Sequence, residues 1–513
     1  MSKSKLTKEQ KDYQRLHALS KHTRVLEGIG SLLDWDQETY MPPQAAGIRA
    51  EQLKTLAGLI HREKTGRKFT NTLARLIDLK TGQVQAQNLS LAQIAALREW
   101  RRNYLKDNAL PTSFVEEFAK LTSQSILAWR MAKQQNAFQQ FAPFLDRIIY
   151  YSRKKADLLG YKDHPYDALL DQYEPDMTTQ QVGSLFSELQ QKITPLLKKI
   201  NQAPQVDDRF LMGQWSTDKQ LEFSRMLLNA MGHDSNRGRL DLSAHPFSSS
   251  SHPTDSRLTT RIHPQSLMSN IFVILHEGGH GLYELGLPPE LYGSPLGESR
   301  SLGIHESQSR WWETRMGLSK PFWTHFLPLL KETFNGQLEN VNLEQLYKAI
   351  NKVEPSLIRV EADEVTYPLH VILRFELEKA LIEGSLNVRD IPEAWNAKMQ
   401  EYLGVTPPTA AEGCLQDIHW SMGGFGYFPT YTLGNLYAAH LFEAFAKQHP
   451  NWEARVAAGE LDFVRHWLNE NIYQHGRRYT SQELLQQATG KEFSAAPYLN
   501  YLTDKYSAIY SLK

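Results

Sequence analysis

Apolar residues recur at helical spacing throughout the first 200 residues of the chain, and that periodicity restricts the fold more than any other feature. Leu16, Leu19, His22, Val25 and Leu26 mark one stripe, and Leu53, Leu56, Leu59 and Ile60 mark another. Residues three and four apart share a helix face, so each stripe must be covered by a neighbouring element. Leu89, Leu91, Ile94, Ala95 and Leu97 continue the pattern, as do Leu185, Phe186, Leu189, Ile193, Leu196, Leu197 and Ile200. Pro42-Pro43 ends the first helix, and 201–208, with its proline, reads as a connector.

The period changes near residue 239. Leu240, Leu242 and Ala244 alternate with polar neighbours, and so do Leu258, Thr260 and Ile262. Period two predicts a small β-ribbon over 239–263, its two runs joined by the serine-rich loop 248–251. Helices resume from about residue 265 to the end, interrupted by loops at 286–297, 404–409 and 423–431. With no internal repeat or low-complexity linker, residues 1–513 are expected to form a single, mainly all-α domain. Its parts are N-terminal helices over 1–200, the ribbon, a motif-bearing stretch over 265–430, and C-terminal helices over 431–513.

Lysine plus arginine and aspartate plus glutamate each total 57, so the net charge is zero. A neutral chain carries no overall electrostatic footprint for nucleic acid or an anionic membrane, and neither is expected as a partner. No apolar run is long enough to span a bilayer. Cys414 is the sole cysteine, which excludes an internal disulfide and suits a reducing compartment. The start, Met1-Ser2-Lys3-Ser4-Lys5-Leu6-Thr7-Lys8, is charged and lacks the apolar core of a secretory signal. A cytoplasmic enzyme is the expectation.

One pentad carries chemistry on its face: His276-Glu277-Gly278-Gly279-His280. On a helix the two imidazoles lie one turn apart and reach one metal ion, while Glu277 is offset to take a proton from a metal-activated water. Leu267, Ile271, Ile274 and Leu275 give this helix its apolar side. Each mid-helix glycine costs about 1 kcal/mol relative to alanine. Gly278 and Gly279 therefore mark either tight packing against another helix or close approach of substrate or metal-site backbone. A catalytic zinc takes three protein ligands and leaves a fourth position open. Glu306, in His305-Glu306-Ser307-Gln308, stands on a second helix expected to cross the first, beyond the proline-rich loop 287–296. By itself it is a third ligand or a solvated carboxylate. Glu284 extends the histidine stripe, but a third ligand on the same helix does not complete a tetrahedron.

These residues resemble the carboxypeptidase Taq family of zinc metallocarboxypeptidases. The resemblance rests on His245-Pro246-Phe247, Asp255-Ser256-Arg257-Leu258-Thr259, the pentad, and His305-Glu306-Ser307-Gln308. Ile358-Arg359-Val360-Glu361-Ala362-Asp363 and Gly413-Cys414-Leu415-Gln416-Asp417-Ile418-His419-Trp420 complete the ordered set. Trp35-Asp36-Gln37-Glu38-Thr39-Tyr40-Met41-Pro42-Pro43 also resembles the family's N-terminal region. The chain departs from the family at Ser248-Ser249-Ser250-Ser251-His252, which lacks glycine and aromatic character and leaves substrate preference open. The resemblance implies a helical fold with a deep groove, a small sheet beside the metal helix, and N-terminal helices roofing one side. It implies a cytoplasmic homodimer that removes single C-terminal residues with broad specificity, using zinc, with cobalt as a substitute. It makes His276, His280 and Glu306 the metal ligands and Glu277 the general base.

A C-terminal exopeptidase must also hold a free carboxylate, and a guanidinium fork matches that geometry. By resemblance Arg359 is the anchor; its local alternative is a helix-face arginine paired with Asp363. Tyr427, in the glycine-rich 423–429, is the candidate phenol for the terminal carboxylate or the developing oxyanion. His419 either assists nearby or is a buried histidine bonded to Asp417 or backbone. His245 either contacts the end of the peptide or fixes its turn. Asp255 and Arg257 read as a structural ion pair. The rival readings are a zinc oligopeptidase or dipeptidyl carboxypeptidase, separable by its products, and a helical interaction protein without turnover.

Overall fold

A computed structural model describes residues 6–512; Met1 to Lys5 of the charged N-terminal stretch lie outside the described residues. The chain is built almost wholly from helices, and their ends are set by local chemistry. Thr7 with Gln10, Ser90 with Gln93, Thr178 with Gln181 and Thr480 with Glu483 form reciprocal capping boxes that satisfy otherwise orphaned N–H groups. Gly384 ends the Tyr367–Glu383 helix with φ +95°, a conformation that a side chain would oppose. Among the described residues, no helix is long and apolar enough to cross a membrane.

The helical periodicity translates unevenly into burial. In the Thr179–Gln202 helix, Phe186, Leu189, Ile193, Leu196, Leu197 and Ile200 are all buried. In the first helix, Lys8–Thr39, only Leu16 of the expected stripe is buried, and Val25 is 46% exposed. That helix buries Thr23 and Trp35 instead. The N-terminal helices share a small core of their own around Leu16, Phe69, Leu73, Leu97 and Trp100, into which Leu296 of the 286–297 loop inserts. A much larger core, from Leu121 to Tyr510, holds the rest together.

The strand region is a three-stranded sheet: β1 (Gly238–Leu242), β2 (Ser248–His252) and β3 (Asp255–Thr260), in the order β1-β3-β2. This corrects the expected ribbon. The serine run is not a loop but the edge strand β2, antiparallel to β3 with Ser249 opposite Arg257, and β1 runs parallel to β3. Weak strand propensity is overridden here by packing. A Cβ placed on Gly28 of the first helix would lie 3.3 Å from Ser251 Cβ, so a small side chain is what allows that helix to lie on the sheet. Trp35 stacks under the guanidiniums of Arg239 and Arg257, 4.9 and 4.5 Å from its ring. Arg257 donates to Asp255 at 2.9 Å, as the expected ion pair.

Against this sheet packs the Leu267–Gly286 helix, with Leu267, Ile271, Ile274 and Leu275 buried as the sequence pattern requires. Asn270 ties it down, accepting from Thr260 and donating to Ser224, both at 2.7 Å. The Leu302–Arg310 helix lies across it and continues as a π-helical turn, Trp311–Met316, of the kind that recurs at functional sites. The Pro429–Gln448 helix closes on its other side. The two glycines of the pentad resolve as packing devices. A Cβ on Gly279 would stand 2.4 Å from the Gln308 carbonyl oxygen, and one on Gly434 would stand 2.5 Å from Glu306 Cγ. The helix bearing Glu306 is thus pinched between two faces without side chains.

Candidate active site

His276, His280 and Glu306 converge, each offering a ligand atom within 4.8 Å of the others. Nε2 of His280 lies 3.4 Å from Glu306 Oε2, and Nε2 of His276 lies 3.7 Å from it. Ligands about 2.1 Å from a shared tetrahedral centre would be roughly 3.4 Å apart, so the spacing fits a metal better than direct hydrogen bonds. The donor set, two imidazoles and one carboxylate, suits a divalent metal ion with a position left open. The electrostatics agree. Burial disfavours charge on His276, but Glu306 and then Glu313 outweigh it and raise its pKa to about 9. The surroundings therefore favour a positive charge where a cation would sit. Burial pushes Glu306 up, yet His276 and His280 hold it down at about 2, ready to ligate.

Each histidine is aimed by a partner on its other nitrogen, and neither partnership was read from the sequence. His276 Nδ1 meets Glu313 Oε2 at 2.7 Å, and that same oxygen accepts from Arg310 at 2.7 Å. Arg310 is fixed in turn by Asn435. His280 Nδ1 meets His305 Nδ1 at 2.6 Å, and His305 Nε2 meets Glu284 Oε1 at 2.8 Å. With Nδ1–H donating outward in both rings, both Nε2 lone pairs face Glu306. Glu284, set aside above as a ligand, therefore serves the site through His305. Glu313 could have been found from its seven-residue offset from Glu306, two α-helical turns along the same face. Glu277, 8% exposed, is raised to about 7, chiefly by burial.

Arg359 lies in a short turn, Arg359–Glu361, and is almost wholly buried. It does not pair with Asp363, which instead accepts from the backbone of Glu354, Val365 and Thr366. Arg359 donates to Asp417 Oδ1 through Nε at 3.1 Å and Nη2 at 2.9 Å, and to the Tyr367 hydroxyl at 3.2 Å. Arg374 takes the other oxygen of Asp417 at 2.7 Å. Two guanidiniums thus share one carboxylate, and the cluster keeps a surplus positive charge. Tyr431 lies under Arg359 at 4.6 Å and, with Tyr367, is a site-lining residue that the sequence reading missed.

Tyr427 stands between the two clusters. Its phenol is held protonated by burial and by Glu306, and its ring packs on Tyr173 and His419, both at 5.1 Å. His419 is bonded neither to Asp417 nor to backbone. Its Nε2 meets the Tyr431 hydroxyl at 3.1 Å, its Nδ1 has no protein partner, and burial holds its pKa at about 3. His245 is exposed on the turn between β1 and β2, where its carbonyl accepts from Ser243. Among the described residues, no hydrogen bond or ion pair joins its ring to either cluster.

Known proteins resemble this chain along nearly its whole length. The model of the carboxypeptidase Taq (M32) metallopeptidases matches residues 15–506. Thermostable carboxypeptidase 1 of Thermus thermophilus is 40% identical over 508 residues, covering 97% of this chain and 99% of that one. Carboxypeptidase 1 of Bacillus subtilis is 36% identical over 507 residues, covering 99% of each. The crystal structure of the M32 carboxypeptidase from Deinococcus radiodurans superposes with a TM-score of 0.94 at 37% identity, covering 98% of this chain and all of that one. Fold, donor set and sequence agree, and the chain belongs to the carboxypeptidase Taq (M32) family as a metallocarboxypeptidase.

Proposed function

We propose that the chain releases single C-terminal amino acids from peptides by zinc-dependent hydrolysis, acting as one catalytic domain over residues 1–513. His276, His280 and Glu306 would hold the ion. Bound there, zinc supplies the Lewis acidity that acidifies a water and polarises a carbonyl, and cobalt would serve in its place. Glu277 accepts the proton of the attacking water on its carboxylate and passes it to the nitrogen of the leaving amine, a task that suits a group titrating near 7. Arg359, preset by Asp417, receives the substrate's terminal carboxylate with its remaining N–H groups. Tyr427 donates its hydroxyl to that carboxylate or to the carbonyl oxygen as charge develops on it. His419 orients the neighbouring phenols and offers Nδ1 toward the substrate. His245, exposed on its turn, is the outermost contact, away from the reacting bond.

The observation carrying this reading is the convergence of three ligand atoms next to the buried Glu277, with a cationic cluster reached through Tyr367. The groove roofed by the N-terminal helices, broad side-chain tolerance, a homodimeric state and a cytoplasmic location enter the proposal from the family resemblance. The test is a ladder of peptides incubated with the protein, with and without a chelator. Chelator-sensitive release of single amino acids supports the proposal, and release of dipeptides or internal fragments overturns it.

A further inference from the structure

Tyr173, whose ring meets Tyr427, also lines a separate cavity of about 140 Å³. At about 30 Å³ per water, that is room for several small groups. Its walls carry Arg102, Lys106, Arg300 and Arg477, against Glu99 as the single lining carboxylate. The first two and Arg477 have outer partners: Asp171 and Asp176 for Arg102, Asp171 for Lys106, and Glu298 for Arg477. These three side chains remain 22–27% exposed at the mouth.

Arg300 differs. Its side chain is fully buried and faces Glu99 at 2.9 Å, yet no protein atom accepts a well-formed hydrogen bond from its Nε, Nη1 or Nη2. A buried guanidinium has five N–H groups to satisfy, and leaving such donors unmet is costly. The cavity also sits at a junction. Glu99, Arg102 and Lys106 belong to the Leu91–Ala109 helix of the N-terminal core, Arg300 precedes the Leu302–Arg310 helix bearing Glu306, and Arg477 comes from the C-terminal region. The cations at the mouth are balanced by their outer carboxylates. What favours a negatively charged occupant over water is the buried Arg300, whose one near carboxylate leaves its N–H donors without a formed hydrogen bond.

We propose that this cavity binds a small inorganic anion that joins the N-terminal helices to the segment leading into the metal-ligand helix. The protein as purified is titrated calorimetrically with sodium sulfate and, separately, with sodium chloride, at ionic strength held constant with sodium gluconate. Thermal melts are recorded on the same samples. Saturable binding of either salt, with a melting temperature that climbs with its concentration, is expected. Lys106→Gln and Arg477→Gln, at the partly exposed mouth, should each weaken binding about tenfold, as loss of one charged hydrogen bond does, with the melt of each ion-free variant showing that it is folded. A wild-type response that fails to saturate, or one identical in both variants, overturns the site and leaves the cavity to water.

Discussion

The two flanks of the active site are built on opposite surpluses of charge. Around the metal ligands, Glu277, Glu284, Glu306 and Glu313 outnumber the arginines that face them, Arg310 beside Glu313 and Arg24 near Glu284. Around the anchor, Arg359 and Arg374 share the one carboxylate of Asp417. Tyr367 separates them, with Arg310 5.1 Å from its ring and Arg359 bonded to its hydroxyl. Buried charges persist only where something compensates them. On the function proposed above, the difference between the flanks matches what each would receive: a divalent cation on one side, the end of a peptide on the other. Lesions on the metal flank should depress turnover or metal content, and lesions on the anchor flank should change which substrates are accepted.

The largest expected effect belongs to Glu277→Gln. Amino-acid release should fall by about 10³-fold, the scale of a lost general base, while metal content measured on the purified variant stays intact. Ordinary turnover in that variant would remove Glu277 from the mechanism. Next comes Arg359→Ala, expected to lower kcat/KM about 10²-fold on peptides with a free C-terminus, as loss of a charged hydrogen-bond pair does. An equal loss on a C-terminally amidated substrate would break the contrast between the flanks. Glu313→Gln should weaken metal affinity about 10- to 100-fold in chelator competition, because its carboxylate holds His276 directly. Glu284→Gln acts through the intervening His305 and should weaken it less. The reverse order would show that the relay, not the direct carboxylate, sets the site.

A last expected effect is on stability and depends on pH. On the anchor flank, burial and then the neighbouring arginines hold His370 well below the usual histidine range, and burial holds His419 at about 3. Both rings are neutral in the fold and take up protons on unfolding. Their contribution is fully present above the unfolded value of about 6.5 and is lost progressively as pH falls from there toward about 3. Each such ring should cost about 1.4 kcal/mol per pH unit below 6.5. Urea unfolding at pH 7.5 and 5.5 measures this, and equal stabilities would refute it.

The placing of His276 and His280 on one face, and the apolar side of their helix, were legible because four-residue spacing has one spatial meaning on a helix. The helical class was legible for the same reason. The sheet topology was not. A run of serines has no strand signature, and its place as β2 is decided by what lies on either side of it. Stripe membership also overstated burial. Val25 is nine residues beyond Leu16, two and a half helical turns, so a run of i+3 steps has drifted to the opposite face and Val25 meets solvent while Leu16 is buried. The partners of the two ligand imidazoles escaped because one lies beyond a change of helix type and the other acts through a second ring. Arg359 was found by motif, but its partner Asp417, 58 residues away, is a product of the fold alone.

Gly279 and Gly434 carry one more consequence. The segment they grip can neither roll nor slide without driving a backbone oxygen or the Glu306 stem into a neighbour. The seat for the ion is accordingly rigid before anything arrives. One divalent species should replace another without remodelling the protein, and discrimination among them falls to bond preference rather than to motion.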